Sequence, residues 1–121
     1  MPVSKLSDCI VNTRDLLKGC GVPAAILGHV GDGNYHVVFA VDPGNQAELD
    51  EVAAINKKMV RYAISVGGTA TGEHGVGTGK IAYLREEHGD AVDLMALIKH
   101  AIDPDGIMNP GKVLPEDASA A

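Results

Sequence analysis

The first chemical signal is a pair of histidines at the two ends of a glycine-rich run, Gly28-His29-Val30-Gly31-Asp32-Gly33-Asn34-Tyr35-His36. Apolar residues flank the run, Ala24 to Leu27 before it and Val37 to Phe39 after it. Asp-Gly between apolar runs signals a hairpin, because a type I′ turn needs positive φ at both central residues. With Asp32 and Gly33 at the tip, the expected ladder pairs Gly31 with Asn34, Val30 with Tyr35 and His29 with His36. Directly opposed residues share a face, with Cβ atoms about 4.5–5.5 Å apart. Two imidazoles so placed can share one metal ion or one substrate. A tip at Gly33-Asn34 would undo the pairing.

A carboxylate and a third histidine stand side by side in Gly72-Glu73-His74-Gly75-Val76-Gly77-Thr78-Gly79-Lys80. This loop is not a phosphate loop: His74 holds the place of the first glycine, and Ile81 follows Lys80 where Ser or Thr is required. The dinucleotide spacing G-x-G-x-x-G fails as well. Imidazole nitrogen and carboxylate oxygen suit zinc, manganese, iron or cobalt, and the lack of a nearby cysteine argues against a closed structural zinc site. His29, His36 and Glu73 as three ligands would leave a position open for substrate. On residue types alone two readings stand: a metal or catalytic site, or histidines that serve only the structure. His88 and His100 fall on helices among charged neighbours and read as solvated. Asp32 reads as a turn former, Asn34 as a turn residue or a hydrogen-bond partner, and Lys80 and Lys112 as surface charges.

The elements that must position these residues follow from periodicity. Ser4 to Lys18 reads as an amphipathic helix, with Leu6, Ile10, Thr13 and Leu17 on one stripe and Cys9, Leu16 and Cys20 beside it. The hairpin spans Ala24 to Val41, and Asp42-Pro43-Gly44 turns the chain. Asn45 with Glu48 resembles a capping box and opens a helix to about Val66, with Leu49, Val52, Ala53, Asn56, Met59, Val60 and Ala63 inward. Thr69 to Thr71 is a short β-friendly stretch that delivers Glu73 and His74. A short helix is expected from Gly79 or Lys80 to Glu87. Another runs from Asp90 to Ile102, capped by Asp90 and Asp93, with Val92, Leu94, Leu97, Ile98 and Ala101 inward. Asp103-Pro104-Asp105-Gly106 and Asn109-Pro110-Gly111-Lys112 are turns. The order predicts an α+β fold with an antiparallel hairpin packed by helices.

Composition bounds the rest. With 121 residues the chain makes at most one domain, expected over residues 1–115, followed by a disordered tail at 116–121. Its 45% hydrophobic content supports a core, built from aliphatic side chains because only three Tyr and one Phe are present. A formal net charge of −6 argues against nucleic acid as a partner. No apolar run is long enough to cross a bilayer, and no secretory signal is visible. Cys9 and Cys20 read as reduced thiols of a cytoplasmic chain. A two-stranded sheet is marginal alone. Further strands are expected from polypeptide outside the chain or from a second copy, so the isolated chain is expected to form a homo-oligomer.

Three segments, Gly28 to His36, Thr71 to Gly77 and Asp103 to Lys112, resemble in order the C-terminal part of FAD-linked oxidases. The D-lactate dehydrogenase (cytochrome) and glycolate oxidase branches are the nearest, with D-2-hydroxyglutarate dehydrogenase as a relative. The resemblance runs from Pro2 to Pro115. It implies the ferredoxin-like C-terminal cap domain of such enzymes, without their FAD-binding domain and without the first half of the cap. It also implies that His29, His36 and Glu73 bind a divalent metal such as zinc or manganese. His74 would contact the substrate and accept its proton, and Asn109 would lie where the chain returns toward the FAD. The implied reaction oxidises a D-2-hydroxy acid to a 2-oxo acid, with FAD supplied by a missing domain or by a partner FAD-domain polypeptide; this chain alone would be inactive. Hydroxyglutarate dehydrogenases carry an asparagine two residues after the second histidine. Here that position is Val38, which favours a smaller acid such as lactate or glycolate. Two other readings stand: a stand-alone metal- or small-acid-binding module without redox activity, and a truncated, structurally intact but inactive remnant. The location implied is cytoplasmic, with any membrane association made through a partner.

Overall fold

The structure, a computed structural model, describes residues 1–116 and Ala118. The chain divides into two compact units, Met1–Thr69 and Ala70–Ala121, and each is described by itself.

The first unit has two helices and a hairpin: α1 (Val3–Leu17), β1 (Ala24–Leu27), β2 (His36–Phe39) and α2 (Gln46–Ser65). Helix α1 buries Leu6, Cys9 and Thr13, one stripe at spacings of three and four. Helix α2 answers with Ile55, Val60 and Ala63. Ile55 lay outside the expected stripe and is buried, whereas Ala53 lay inside it and is exposed. The expected cap of α2 is present. The Asn45 side chain accepts the N–H groups of Ala47 and Glu48. Its own amide donates to Glu48 Oε1 at 2.9 Å, and Glu48 Oε2 accepts the Asp42 N–H at 2.9 Å.

The hairpin corrects the expected register. Strands β1 and β2 are antiparallel, as anticipated, but Leu27 pairs with His36, Ile26 with Val37, Ala25 with Val38 and Ala24 with Phe39. The connection from Gly28 to Tyr35 is therefore a long loop rather than a two-residue turn. It contains a 3-10 turn, Val30–Asp32, that begins after His29 and ends at Gly33. Gly33 adopts the left-handed conformation at φ 69° and donates its N–H to the Val30 carbonyl. Asp32-Gly33 thus ends a helical turn, and only Gly33 uses the positive φ that the I′ reading required of both residues. Gly28 is fixed by a close approach: a Cβ there would lie 2.4 Å from Tyr35 Cα.

The second unit contains α3 (Ile81–His88) and α4 (Ala91–Ile102). Its core joins Leu84, Val92, Ala96 and Ala118, with Val76, Met95 and Leu114 packed on it. Thr69 to Thr71 forms no strand. Instead the Ala70 N–H donates to Glu87 Oε2 at 2.8 Å, which ties the start of this unit to α3. Asp90 stands at the start of α4 without a side-chain capping bond, and Asp93 accepts from Arg85 Nη2 at 2.7 Å instead. The expected inner stripe of α4 is also revised. Val92 and Ala96 are buried, but Leu94, Leu97, Ile98 and Ala101 are exposed. Of the tail expected to be disordered, Ala118 is buried and donates its N–H to Pro115. Residues 117 and 119–121 lie outside the described residues.

Candidate functional site

His29 is exposed and turned by its own backbone. Its carbonyl accepts the N–H groups of Asp32 at 2.9 Å and Asn34 at 3.3 Å. His36 is half-buried and opens β2 opposite Leu27. The cross-strand pairing of His29 with His36 expected from the sequence is therefore not made; the two histidines stand at opposite ends of one loop. Tyr35 fixes the His36 end. Its hydroxyl lies 2.8 Å from Thr13 Oγ1, and Thr13 is fully buried on α1. Burial raises the Tyr35 pKa above 10.0, with the Thr13 hydrogen bond opposing in the smaller measure. Helical periodicity placed Thr13 in the stripe of α1 but assigned it no partner. Tyr35 is thereby identified as the residue that holds the entry to β2.

In the second unit Glu73 and His74 belong to one 3-10 turn, Gly72–His74, and both are exposed. His74 Nε2 lies 3.4 Å from Glu73 Oε1. A carboxylate and an imidazole on such a turn can offer a metal ligand and a proton acceptor from adjacent residues. The following glycines carry the chain back to the core at Val76. The Val113 N–H donates to the Gly77 carbonyl at 2.8 Å, so the glycine loop and the Asn109–Lys112 turn are held together. Two residues of that turn region are left-handed, Asn109 at φ 46° and Val113 at φ 69°. Asparagine tolerates this conformation, but a β-branched residue does so at a cost of about 1–3 kcal/mol.

The Asn109 segment is also pinned from α4. Asp103 is buried at the end of that helix. Its carboxylate accepts the N–H groups of Ile107 at 3.0 Å and Met108 at 2.9 Å, and it pairs with Lys99. The Lys99 hydrogen bond holds the Asp103 pKa below its ordinary 3.8 against the opposing effect of burial, and the two backbone N–H groups add to it. The Asp-Pro-Asp-Gly run signalled a turn; that its first carboxylate is the buried anchor of the loop was not legible. His88 and His100 are exposed, as expected. Lys80 is half-buried, its ammonium 5.8 Å from the Tyr83 ring centroid, and burial lowers its pKa.

Helices and an antiparallel hairpin, with histidines and a glutamate in glycine-rich loops, give the chain an α+β composition. Residues 1–113 match the family described as FAD linked oxidases, C-terminal domain, and the chain belongs to that family. It is 44% identical over 115 residues to "Probable D-lactate dehydrogenase, mitochondrial" of Danio rerio, covering 94% of this chain and 23% of that protein. It is 41% identical over 116 residues to "D-lactate dehydrogenase [cytochrome], mitochondrial" of Arabidopsis thaliana, covering 95% of this chain and 20% of the relative. A "Glycolate oxidase subunit GlcD" of Bacillus subtilis is 35% identical over 119 residues, covering 98% and 25%. The chain thus spans about a fifth to a quarter of the length of these relatives. Among the described residues no helix is long and apolar enough to cross a membrane.

Proposed function

We propose that this chain is the substrate- and metal-binding part of an FAD-dependent dehydrogenase that converts a D-2-hydroxy acid of the lactate or glycolate type to its 2-oxo acid. The observation that carries this reading is the match of residues 1–113 to the C-terminal domain of FAD-linked oxidases. The identities to proteins named for D-lactate and glycolate support the substrate class.

His29, His36 and Glu73 are the proposed ligands of a divalent metal, zinc or manganese. Their donor atoms fit such an ion, and His29 and Glu73 are exposed at the surface. When bound there, the metal would lower the pKa of the substrate hydroxyl, and FAD would supply the hydride acceptor. His74, one residue from a proposed ligand, takes the hydroxyl proton at an imidazole nitrogen. Glu73 beside it stabilises the imidazolium that forms, since its Oε1 lies 3.4 Å from His74 Nε2. Val38 offers no hydrogen-bond donor to a second carboxylate on the substrate, which favours a small acid. Asn109 is assigned to the flavin side, on a loop held by Asp103 and Val113. The sequence carries no nucleotide-binding glycine pattern, so the flavin is assigned to polypeptide outside these 121 residues. The two free thiols fit a reducing compartment, taken to be the cytoplasm.

Titration calorimetry of the purified chain with zinc and with manganese tests the site. Saturable binding of either ion, lost in His36→Ala and in Glu73→Gln, supports the reading. Binding unaffected by both substitutions, or no binding of either ion, refutes the ligand assignment for this chain.

A further inference from the structure

Glu87 stands where a carboxylate is costly on two counts. It follows the buried Tyr83 and Leu84 by four and three residues, so it falls on the packed side of α3, and its side chain is only 11% exposed. It also lies in the last turn of that helix, where the free carbonyl groups disfavour negative charge. A leucine would suit both conditions better, since it fills a packed stripe and carries no charge to desolvate. What offsets the cost lies outside the helix. Glu87 Oε2 accepts the Ala70 N–H at 2.8 Å, and Oε1 lies 3.4 Å from His88 Nε2. Ala70 is three residues ahead of Glu73. Thr69 to Thr71 forms no strand, and Thr71 gives the 3-10 turn Gly72–His74 no side-chain capping bond. The turn opens on Gly72 at φ 53° and is followed by Gly75 at φ 74°, the residue type with the widest backbone freedom. Downstream the chain is fixed again, where Val76 packs on the core and the Gly77 carbonyl accepts the Val113 N–H. The bond from Ala70 to Glu87 is the upstream counterpart of that fixed point.

We propose that Glu87 is a positioning residue: by holding Ala70, its carboxylate sets the conformation in which the Gly72–His74 turn presents Glu73 and His74 to metal and substrate. The proposal rests on the functional reading above for the roles of Glu73 and His74. Glu87 acts through the backbone and is not itself assigned as a ligand. Removing a group that orients a metal ligand ordinarily weakens metal binding about 10–100-fold.

The test compares Glu87→Leu with Glu87→Gln in the full chain. Leucine suits the packed side of α3 but takes this acceptor from the Ala70 N–H, whereas glutamine keeps an amide oxygen for it. Three quantities are measured: melting temperature, amide exchange at residues 70–75 by NMR, and affinity for zinc and manganese by calorimetry. In Glu87→Leu the melting temperature should hold or rise, while exchange at 70–75 quickens and metal affinity falls about tenfold or more. Glu87→Gln should restore most of both. A role confined to stability predicts the opposite pairing, a lower melting temperature with metal affinity unchanged, and that result overturns the proposal. Where the leucine variant does not fold, Glu87→Ala takes its place, with Asn45→Ala as a stability control in the first unit that should leave metal affinity as it is. A glutamine variant no better than the leucine variant also overturns the proposal. If the wild-type chain binds metal and Glu87→Leu binds it equally well, the functional reading stands and the proposal falls. If the wild-type chain binds neither ion, the ligand assignment falls and exchange decides alone: quickening in the leucine variant that glutamine reverses sustains Glu87 as the residue that sets the turn, and no quickening overturns it.

Discussion

Asp103 and Met108 are joined twice. Asp103 Oδ2 accepts the Met108 N–H at 2.9 Å, and Lys99, paired with the same carboxylate, donates to the Met108 carbonyl oxygen at 2.6 Å. A buried acceptor with several donors costs much to disturb, because each N–H left behind loses its partner.

Asp103→Asn should therefore lower the melting temperature of the chain and loosen residues 107–112, read as faster amide exchange there. The pH dependence has a definite sign. The folded Asp103 pKa lies below 3.8, so its charge contributes stability that is fully present above that value. The contribution is lost as pH falls from 3.8 through the folded value. The stability difference between wild type and Asp103→Asn, measured by urea unfolding, should accordingly be constant from pH 7 to about 5 and shrink at lower pH. A difference that widens on acidification would show the assignment to be wrong.

Tyr35→Phe removes the hydroxyl that lies 2.8 Å from the buried Thr13 Oγ1. It should cost about 1 kcal/mol or somewhat more in chemical denaturation. Thr13→Val with Tyr35→Phe should recover part of that loss, since both polar partners are then gone. If the double variant is no better than the sum of the singles, the hydrogen bond is not what holds the entry to β2.

Asn45→Ala should destabilise the chain by about 1 kcal/mol, and Asn45→Asp by much less. The Asn45 side chain caps two N–H groups at the start of α2. Equal unfolding midpoints for all three proteins would rule out a contribution from the cap.

The two cysteines should differ in reactivity. Cys9 is fully buried, and burial raises its thiol pKa above 9.0, while Cys20 is half-buried. Under native conditions at pH 8 a thiol-specific disulfide reagent should label Cys20 first, with Cys9 following only on unfolding. Labelling of both at one rate would contradict the packing of α1.

The isolated chain is expected to self-associate through its sheet. Among the described residues β1 and β2 form a two-stranded sheet, which leaves an unpaired edge on each strand. Light scattering should give a mass near twice 12.5 kDa, reduced by Val38→Lys and unchanged by Ile98→Lys. A monomer at all concentrations would refute this.

The sequence by itself determined α1 and α2, because the signals that set them are local. Asn45 and Glu48 are close enough in the chain to cap α2 without help, and the apolar stripe of α1 needs only the helical period. The three glycine-rich segments determined the family, since their residue types and order are specific whatever their contacts. Tertiary structure decided the rest. The hairpin register turned on whether Asp32-Gly33 would form a tight turn or end a 3-10 turn, and the Gly28 approach to Tyr35, with the Tyr35 hydroxyl held on Thr13, favours the longer loop. Asp103 reads in sequence as any turn aspartate; only the fold brings Lys99, Ile107 and Met108 to it. The inner side of α4 was equally hidden. A helix apolar on two sides has no unique stripe, and which side is buried depends on the neighbours present to cover it.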